Sequence, residues 1–432
     1  MDIQRLETSR LFDRLGFGPR PGEYAQALKD GVPTLRARLT TIPDASLNIS
    51  PVIEPEITDL GRPPAANSPE VVAFAIALRS QTQAMVLWWL DLMALSGHGL
   101  TERMVWFWHG HWATSIEKLN FPLPMFKQNK VFRTHALGDF NAMTKAMLND
   151  GALQFWLDGQ DNTVKAPNEN LGRELMELFV LGVNRYTEDD VKAISRVLTG
   201  YQVVRTNGTV TINQNRRDTN PVTLLGKTGV FTGDTLSDFL VARDDCATFI
   251  SERLWYRFIS STEVMPAGFS AKSAFAGRNI TAAVQAMAAD SAMQDPKNAM
   301  VKSPVEWFIS ACRALELTPS QLQTTAQLNG YLDKLGQVPF KPPNVGGWPA
   351  GEAWLSSATS QYRLAFAFWL VKQSGLTALT QIPRELRVRR SADWLGVPEW
   401  SSRTQSSLRS ALDDPVQFAL LALCSPEYIV SA

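Results

Sequence analysis

A mostly α-helical globular bundle with one small β-hairpin near residues 201–214 is the fold this sequence predicts, and three observations carry it. Helix start and stop signals recur along the chain, as in Ser68-Pro69-Glu70, and in Thr187 with Asp190 three residues on and Gly200 beyond. Only one stretch, YQVVRT, then Asn207-Gly208, then TVTIN, joins β-branched runs through an NG turn. No period of about 20–50 residues repeats, which removes solenoid folds.

Taken in order, residues 1–42 read as two short helices around a Gly/Pro loop at Gly16–Gly22. Pro43, Pro51, Pro55, Pro63 and Pro64 make 43–67 an irregular connection. Pro69 then sits at the first position of a helix running to about Ser96, where Gly97 and Gly99 stop it. Thr101 is expected to cap TERMVWFWHGHWATSIEKL, which Phe121-Pro-Leu-Pro124 ends. A further helix covers about 126–137, and after Gly138 the Asp139 side chain caps another through about Asn149. WLDGQDN, 156–162, reads as a polar loop; Asn168 caps a helix ending near Gly182, and 187–200 is the next. Past the hairpin, 215–234 reads as an extended or looped insertion. Helices resume at about 235, with loops near 262–273 and 337–350, and Ser303-Pro304-Val305-Glu306 caps one of them. The expectation is one large helical domain over 1–432, with room for two helical lobes, 1–200 and 235–432, joined by the 201–234 insertion.

Composition narrows the function classes. With 45% apolar residues the chain can bury a large core, and 42 basic residues balance 42 acidic ones. That balance lacks the electrostatic footprint of a general nucleic-acid binder; Arg387, Arg389 and Arg390 form only a small basic cluster. Cys246, Cys312 and Cys424 lie far apart in apolar contexts, so buried thiols rather than a disulfide framework are expected. The N-terminal stretch is charged and has no apolar signal core, and the most apolar run, Ala84–Leu95, contains Asp91. A soluble, cytoplasmic chain with no membrane and no nucleic-acid partner is the expectation.

The densest polar arc lies between Pro167 and Gly200. On a uniform helix Glu169, Asn170, Arg173, Glu174 and Glu177 fall within roughly 140° of arc. Their i,i+4 pairs suit a solvated face, yet Met176, Val180 and Leu181 lie at or inside its edges, which suits the wall of a site. Two of only four histidines, His109 and His111, sit in FWHGHW; an imidazole is a metal ligand and a proton shuttle, although i,i+2 spacing turns the rings about 200° apart. Asp158 opens a loop of oxygen ligands, and His135 lies on a helix with Lys127, Lys130 and Arg133 that could meet an anion. In PFKPPNVGGWPAGEAWLSS, 339–357, Trp348 and Trp354 offer aromatic platforms in a rigid loop.

Three blocks carry a family resemblance. MVWFWHGHWATS at 104–115, then RTHALGDF with WLDGQDN and PNENLGRELMELFVLGVNRYTEDDVKAISRVLTGY, and finally PPNVGGWPAGEAWLSSATSQYRLAFA resemble the bacterial domain-of-unknown-function 1800 family. The likeness spans nearly the whole chain, starting at RLFDRLGFGP. The matching motif residues are His109, His111, Arg133, His135, Asp158, Asn162, Asn168, Glu169, Asn170, Arg173, Glu174 and Glu177, with Asn344, Gly347, Trp348 and Arg363 in the last block. The resemblance implies a mostly helical protein, export of many members, and a sulfatase-like partner protein encoded beside them. It implies no reaction. This chain departs by starting directly at the domain.

Three functions remain open at this point. The first is an enzyme with a site between helices: Glu174, Glu177, Arg173 and His135 catalytic, Asn170, Asp158, Trp348 and Arg363 holding a small-molecule or carbohydrate substrate, and His109, His111 and Glu174 binding Fe, Mn or Zn. A metal-free carbohydrate-active enzyme with paired carboxylates is the second. The third is a binding or assembly protein whose polar cluster is structural.

Overall fold

The computed structural model of the protein describes residues 2–42 and 52–431, and helices dominate throughout. At the N-terminus three helices stand where two were expected: α1 (Ile3–Arg14), α2 (Glu23–Asp30) and α3 (Val32–Thr40). Gly31 takes φ +87°, turning the chain so that α3 can begin with Pro33 in its first turn. Residues 52–67 are irregular as expected, while Pro43 and Pro51 lie outside the described residues.

The helix opened by Pro69 is α4 (Glu70–Leu95). Its second half is buried from Met85 to Ala94, whereas Val72 and Ile76 in the first half are exposed. Among the described residues α4 is the one helix long and apolar enough, by length and composition, to cross a membrane. The buried half carries Asp91, whose carboxylate accepts the Ser320 N–H at 2.9 Å.

α5 (Gly99–His111) departs from expectation at both ends. Thr101 lies inside its first turn, with its hydroxyl 3.0 Å from His98 Nδ1, and the helix stops at His111. α6 (Ile116–Leu119) is a separate turn. Pro122 and Pro124 open α7 (Pro122–His135), because a first turn has no use for their missing N–H groups. Asp139 caps α8 (Phe140–Leu148) by accepting the Ala142 N–H at 2.7 Å, as expected, and Asp150 caps α9 (Gly151–Trp156) in the same way.

The next helix holds the main departure from regularity. α10 (Asn170–Glu174) passes directly into a π-helical segment, Leu175–Val180, where the Leu181 N–H reaches back five residues to Met176 O at 2.8 Å. A π turn accommodates about one extra residue, which rotates the residues beyond it by roughly 100°. Val180 and Leu181, placed inside the arc by uniform spacing, are turned into the core, where Met176 from the arc's edge is also fully buried. The expected Thr187–Asp190 capping box opens α11 (Glu188–Val197).

The hairpin forms as read: β1 (Tyr201–Val204) pairs antiparallel with β2 (Thr209–Ile212), Tyr201 opposite Ile212. Two further antiparallel pairs extend the expectation of one hairpin. β3 (Val222–Leu224) pairs with β4 (Lys227–Gly229) inside the insertion, and β5 (Met300–Val301) pairs with β6 (Val430–Ser431). Strands of two or three residues are too short for alternation to reveal them. Then come α12 (Gly233–Val241) and α13 (Asp244–Leu254), which runs into a second π segment, Trp255–Ile259. α14 (Ser270–Ala274), α15 (Ile280–Ala289), α16 (Pro304–Leu315), α17 (Thr325–Lys334) and α18 (Ser357–Val371) come next, with shorter helices to Ile429.

One buried apolar cluster extends from Leu11 to Tyr428 and takes in side chains from both halves. Arg14 of α1 clasps distant segments from within it, donating to Phe258 O at 3.2 Å, Ile259 O at 3.1 Å, Asn298 O and Ser431 O. Cys246 and Cys312 are buried and Cys424 half-buried, as their contexts predicted, and burial pushes the Cys246 and Cys424 thiols up to about 12.

Candidate functional site

The two histidines of FWHGHW leave α5 on different sides. His109 packs among Trp89, Trp106, Phe340 and Trp348, and its Nε2 accepts the Phe340 N–H at 3.1 Å. His111 packs among Phe107, Trp112, Phe179 and Phe249, and its Nε2–H donates to Phe179 O, in the first π segment, at 2.8 Å. Burial lowers both imidazoles to about 3, with Arg253 adding to the effect on His111, so both are neutral at pH 7. Among the described residues no group of three or more His, Cys, Asp or Glu could hold a metal. The expected His109–His111–Glu174 ligand set therefore does not assemble: Gly110 leaves the helix regular, and regular spacing keeps the rings apart.

The polar arc is a half-exposed face with a role for each member. Arg173 donates to both oxygens of Glu188 at 2.8 Å and to Glu169 at 3.2 Å; the three side chains are 32%, 68% and 43% exposed. Pairs this exposed contribute little to stability. Asn170 Nδ2 donates to Leu157 O at 3.2 Å, and Glu177 accepts the Tyr186 hydroxyl. Glu174 is half-buried, and burial, then the neighbouring Glu177, raises its carboxyl above the usual range.

A third face of α5 borders a cavity of about 50 Å³. Arg103, Trp106, Phe107 and Gly110 share that face through i, i+3, i+4, i+7 spacing. Facing them are Arg257 and Phe258 of the second π segment, Glu306 in the first turn of α16, and Trp348 and Trp354 of the Gly/Pro/Trp loop. Trp348 stacks on Trp106 with centroids 5.0 Å apart and 23° between planes. Gly347, at φ +78°, lets the loop descend onto α5, where a Cβ would lie 2.2 Å from Gly110 O. Gly110 has open space in front of it: a Cβ there would meet nothing within 4 Å.

The polar groups of this cavity are unevenly matched. Arg103 pairs with Glu306, and its Nε donates to Arg14 O at 3.2 Å. The other Glu306 oxygen accepts the Ser303 N–H at 2.9 Å, closing the cap that SPVE predicted. Arg257 donates to the main-chain oxygens of Trp348 and, at 3.1 Å, of Pro349; burial, then the neighbouring Arg253, lowers its pKa. The buried Trp348 indole N–H has no hydrogen-bond partner among the described residues.

The remaining sequence candidates lie elsewhere. Asp158, at φ +58°, pairs with Lys118 at 2.6 Å. Asn162 is buried and staples helix ends, donating to Ser195 O at 2.7 Å and accepting the Asn168 N–H at 2.9 Å. His135 is half-buried in the last turn of α7, its imidazole lowered by burial against the opposing pull of Asp139. The basic residues of that helix have partners within the chain: Arg133 grips Glu102 at 2.7 and 2.9 Å, Lys130 meets Glu54, and Lys127 meets Asn207 O. Arg363 is 1% exposed over the Trp307 ring at 5.7 Å, and its guanidinium has no hydrogen-bond partner among the described residues. It does not line the cavity.

Of the sequence candidates, the two loop tryptophans, Trp348 and Trp354, stand on the cavity wall. Arg103 and Arg257 were not singled out, and Glu306 was read only as part of a helix cap. Arg103 was legible in principle, because it shares a helical face with Trp106, Phe107 and Gly110. Arg257 sits in a π segment, whose turn no uniform helical spacing describes. No curated protein and no solved structure matches the chain. A family model described as "Protein of unknown function (DUF1800)" matches residues 10–430. The chain thus belongs to the DUF1800 family.

Proposed function

We propose that the protein binds a small polar molecule with a flat face in the cavity between α5, the second π segment, α16 and the Gly/Pro/Trp loop. One observation carries the reading: two arginines and a stacked tryptophan pair, drawn from widely separated segments, converge on one cavity. The chemistry in place favours binding over acid–base work. Glu306 is the carboxylate on the wall, and both its oxygens are occupied. His109 and His111 act in this reading as neutral packing groups that fix α5 against Phe340 and Phe179.

The test is a fragment screen read by the indole N–H signals of the tryptophans in an NMR spectrum. Ligands should move Trp106, Trp348 and Trp354 together, and Gly110→Leu should abolish those shifts while leaving the fold intact. Fragments that shift only tryptophans away from the cavity would overturn the proposal.

A second reading keeps the paired-carboxylate enzyme. Glu174, raised by burial and by Glu177, has the character of an acid beside a carboxylate that Tyr186 stabilises. It predicts that Glu174→Gln stays folded and loses glycoside turnover, whereas unchanged turnover would remove it.

A further inference from the structure

We infer that the ligand of this cavity is a monoanion with a planar head, a carboxylate, which enters between Arg257 and the Trp348 edge. The inference rests on the cavity being the ligand site and adds what the ligand must carry. Three charged side chains line it: Arg103 and Arg257 against Glu306. Arg103 and Glu306 neutralise each other through their ion pair. Arg257 is left with main-chain oxygens of Trp348 and Pro349 as its partners, and Arg253 nearby adds positive potential rather than relieving it. Arg257 is half-buried, and its neutral acceptors leave its charge unmatched on the wall, where an anion can meet it.

The second observation is independent of charge. Trp348 lines the cavity stacked on Trp106, and its carbonyl accepts from Arg257, so the site sets an aromatic surface beside its unmatched cation. A carboxylate has two oxygens in one plane, which suits the planar donor fork of a guanidinium. Its single charge matches the single excess cation, whereas a phosphate dianion would bring a charge that nothing on the wall offsets. The size agrees: about 50 Å³ holds a head of a few heavy atoms, with any larger body extending out along Pro349 and Trp354. The stacked Trp106–Trp348 pair gives the cavity a rigid aromatic side against which a planar group can lie.

The experiment compares the full chain's affinity for acetate and benzoate with that for acetamide and benzamide, and for inorganic phosphate, read by the Trp106 and Trp348 indole signals. Each carboxylate should bind at least about tenfold more tightly than its amide, about the discrimination one charge-assisted hydrogen bond supplies. Phosphate should not compete. Arg257→Gln should erase the preference while benzamide still shifts the indoles, and Arg257→Lys, which keeps the charge, should retain part of it. Amides binding as tightly as acids would overturn the monoanion while leaving the pocket standing. Phosphate binding more tightly than acetate, or a preference that survives Arg257→Gln, would also overturn it.

Discussion

Gly347 and Gly110 meet where the Gly/Pro/Trp loop lies on α5, and they should respond to the same substitution in opposite ways. Alanine at 347 must adopt a positive φ and place its Cβ 2.2 Å from a main-chain oxygen. Gly347→Ala should therefore lower stability by at least about 2 kcal/mol, seen as a lower urea midpoint. Alanine at 110 meets open space inside a helix, so Gly110→Ala should add roughly 0.5–1 kcal/mol while narrowing the cavity. The histidines give a pH signature. Burial lowers both from the ordinary 6.5 to about 3, so between those values the unfolded chain binds more protons than the folded one. Their stabilising contribution is full above about pH 6.5 and falls as pH drops, by up to about 1.4 kcal/mol per pH unit for each. Urea midpoints from pH 7 to 4.5 should fall more steeply in the wild type than in the His109→Gln, His111→Gln double variant; parallel slopes would refute this. At this scale the sequence marked the right segment and emphasised the wrong side chains. His109 and His111 drew notice for their chemistry, whereas Arg103, about two turns away, looked ordinary because nothing in the chain order ties it to Arg257 or Glu306.

Helices with explicit end signals were the legible part of the element scale. Asp139, the Thr187–Asp190 box and the SPVE cap all form where their residue types require, because a side-chain acceptor near a free N–H is a local matter. Asp190 does more than its helix asks, since it also accepts the Leu225 N–H at 2.6 Å. Asp190→Ala should therefore cost about 2 kcal/mol, at the upper end for a lost cap, and should speed hydrogen exchange in β3 and β4 as well as in α11. Arg173→Ala should leave the melting temperature unchanged within error, because its partners Glu169 and Glu188 are largely exposed. A marked drop would return the arc to a structural role. The two π segments were not legible, and both belong to long-range packing. His111 holds the Phe179 carbonyl of the first, and Arg14 holds the Phe258 and Ile259 carbonyls that end the second. Uniform spacing placed Val180 and Leu181 on the polar side for this reason.

For the whole molecule, the mostly helical class was legible in the sequence, while the arrangement of the halves was not. Contacts such as Lys302–Asp13 at 3.1 Å, with both side chains under 10% exposed, and Arg103–Glu306 join the first and last thirds of the chain. With one apolar cluster running through both halves, calorimetry should show a single unfolding transition. Two well-separated transitions would favour the division into lobes at 201–234. The clasp made by Arg14 has a further consequence, for the order in which the molecule is made rather than for its finished form. Its acceptors lie 244 to 417 residues away in the chain, and β5, which borders the cavity, pairs with β6 from the far end. Contacts of such separation close the largest loops and form after local helices have repaid their own entropy. Refolding followed by Trp348 fluorescence should therefore trail refolding followed by helix content, the cavity being the last region to take shape.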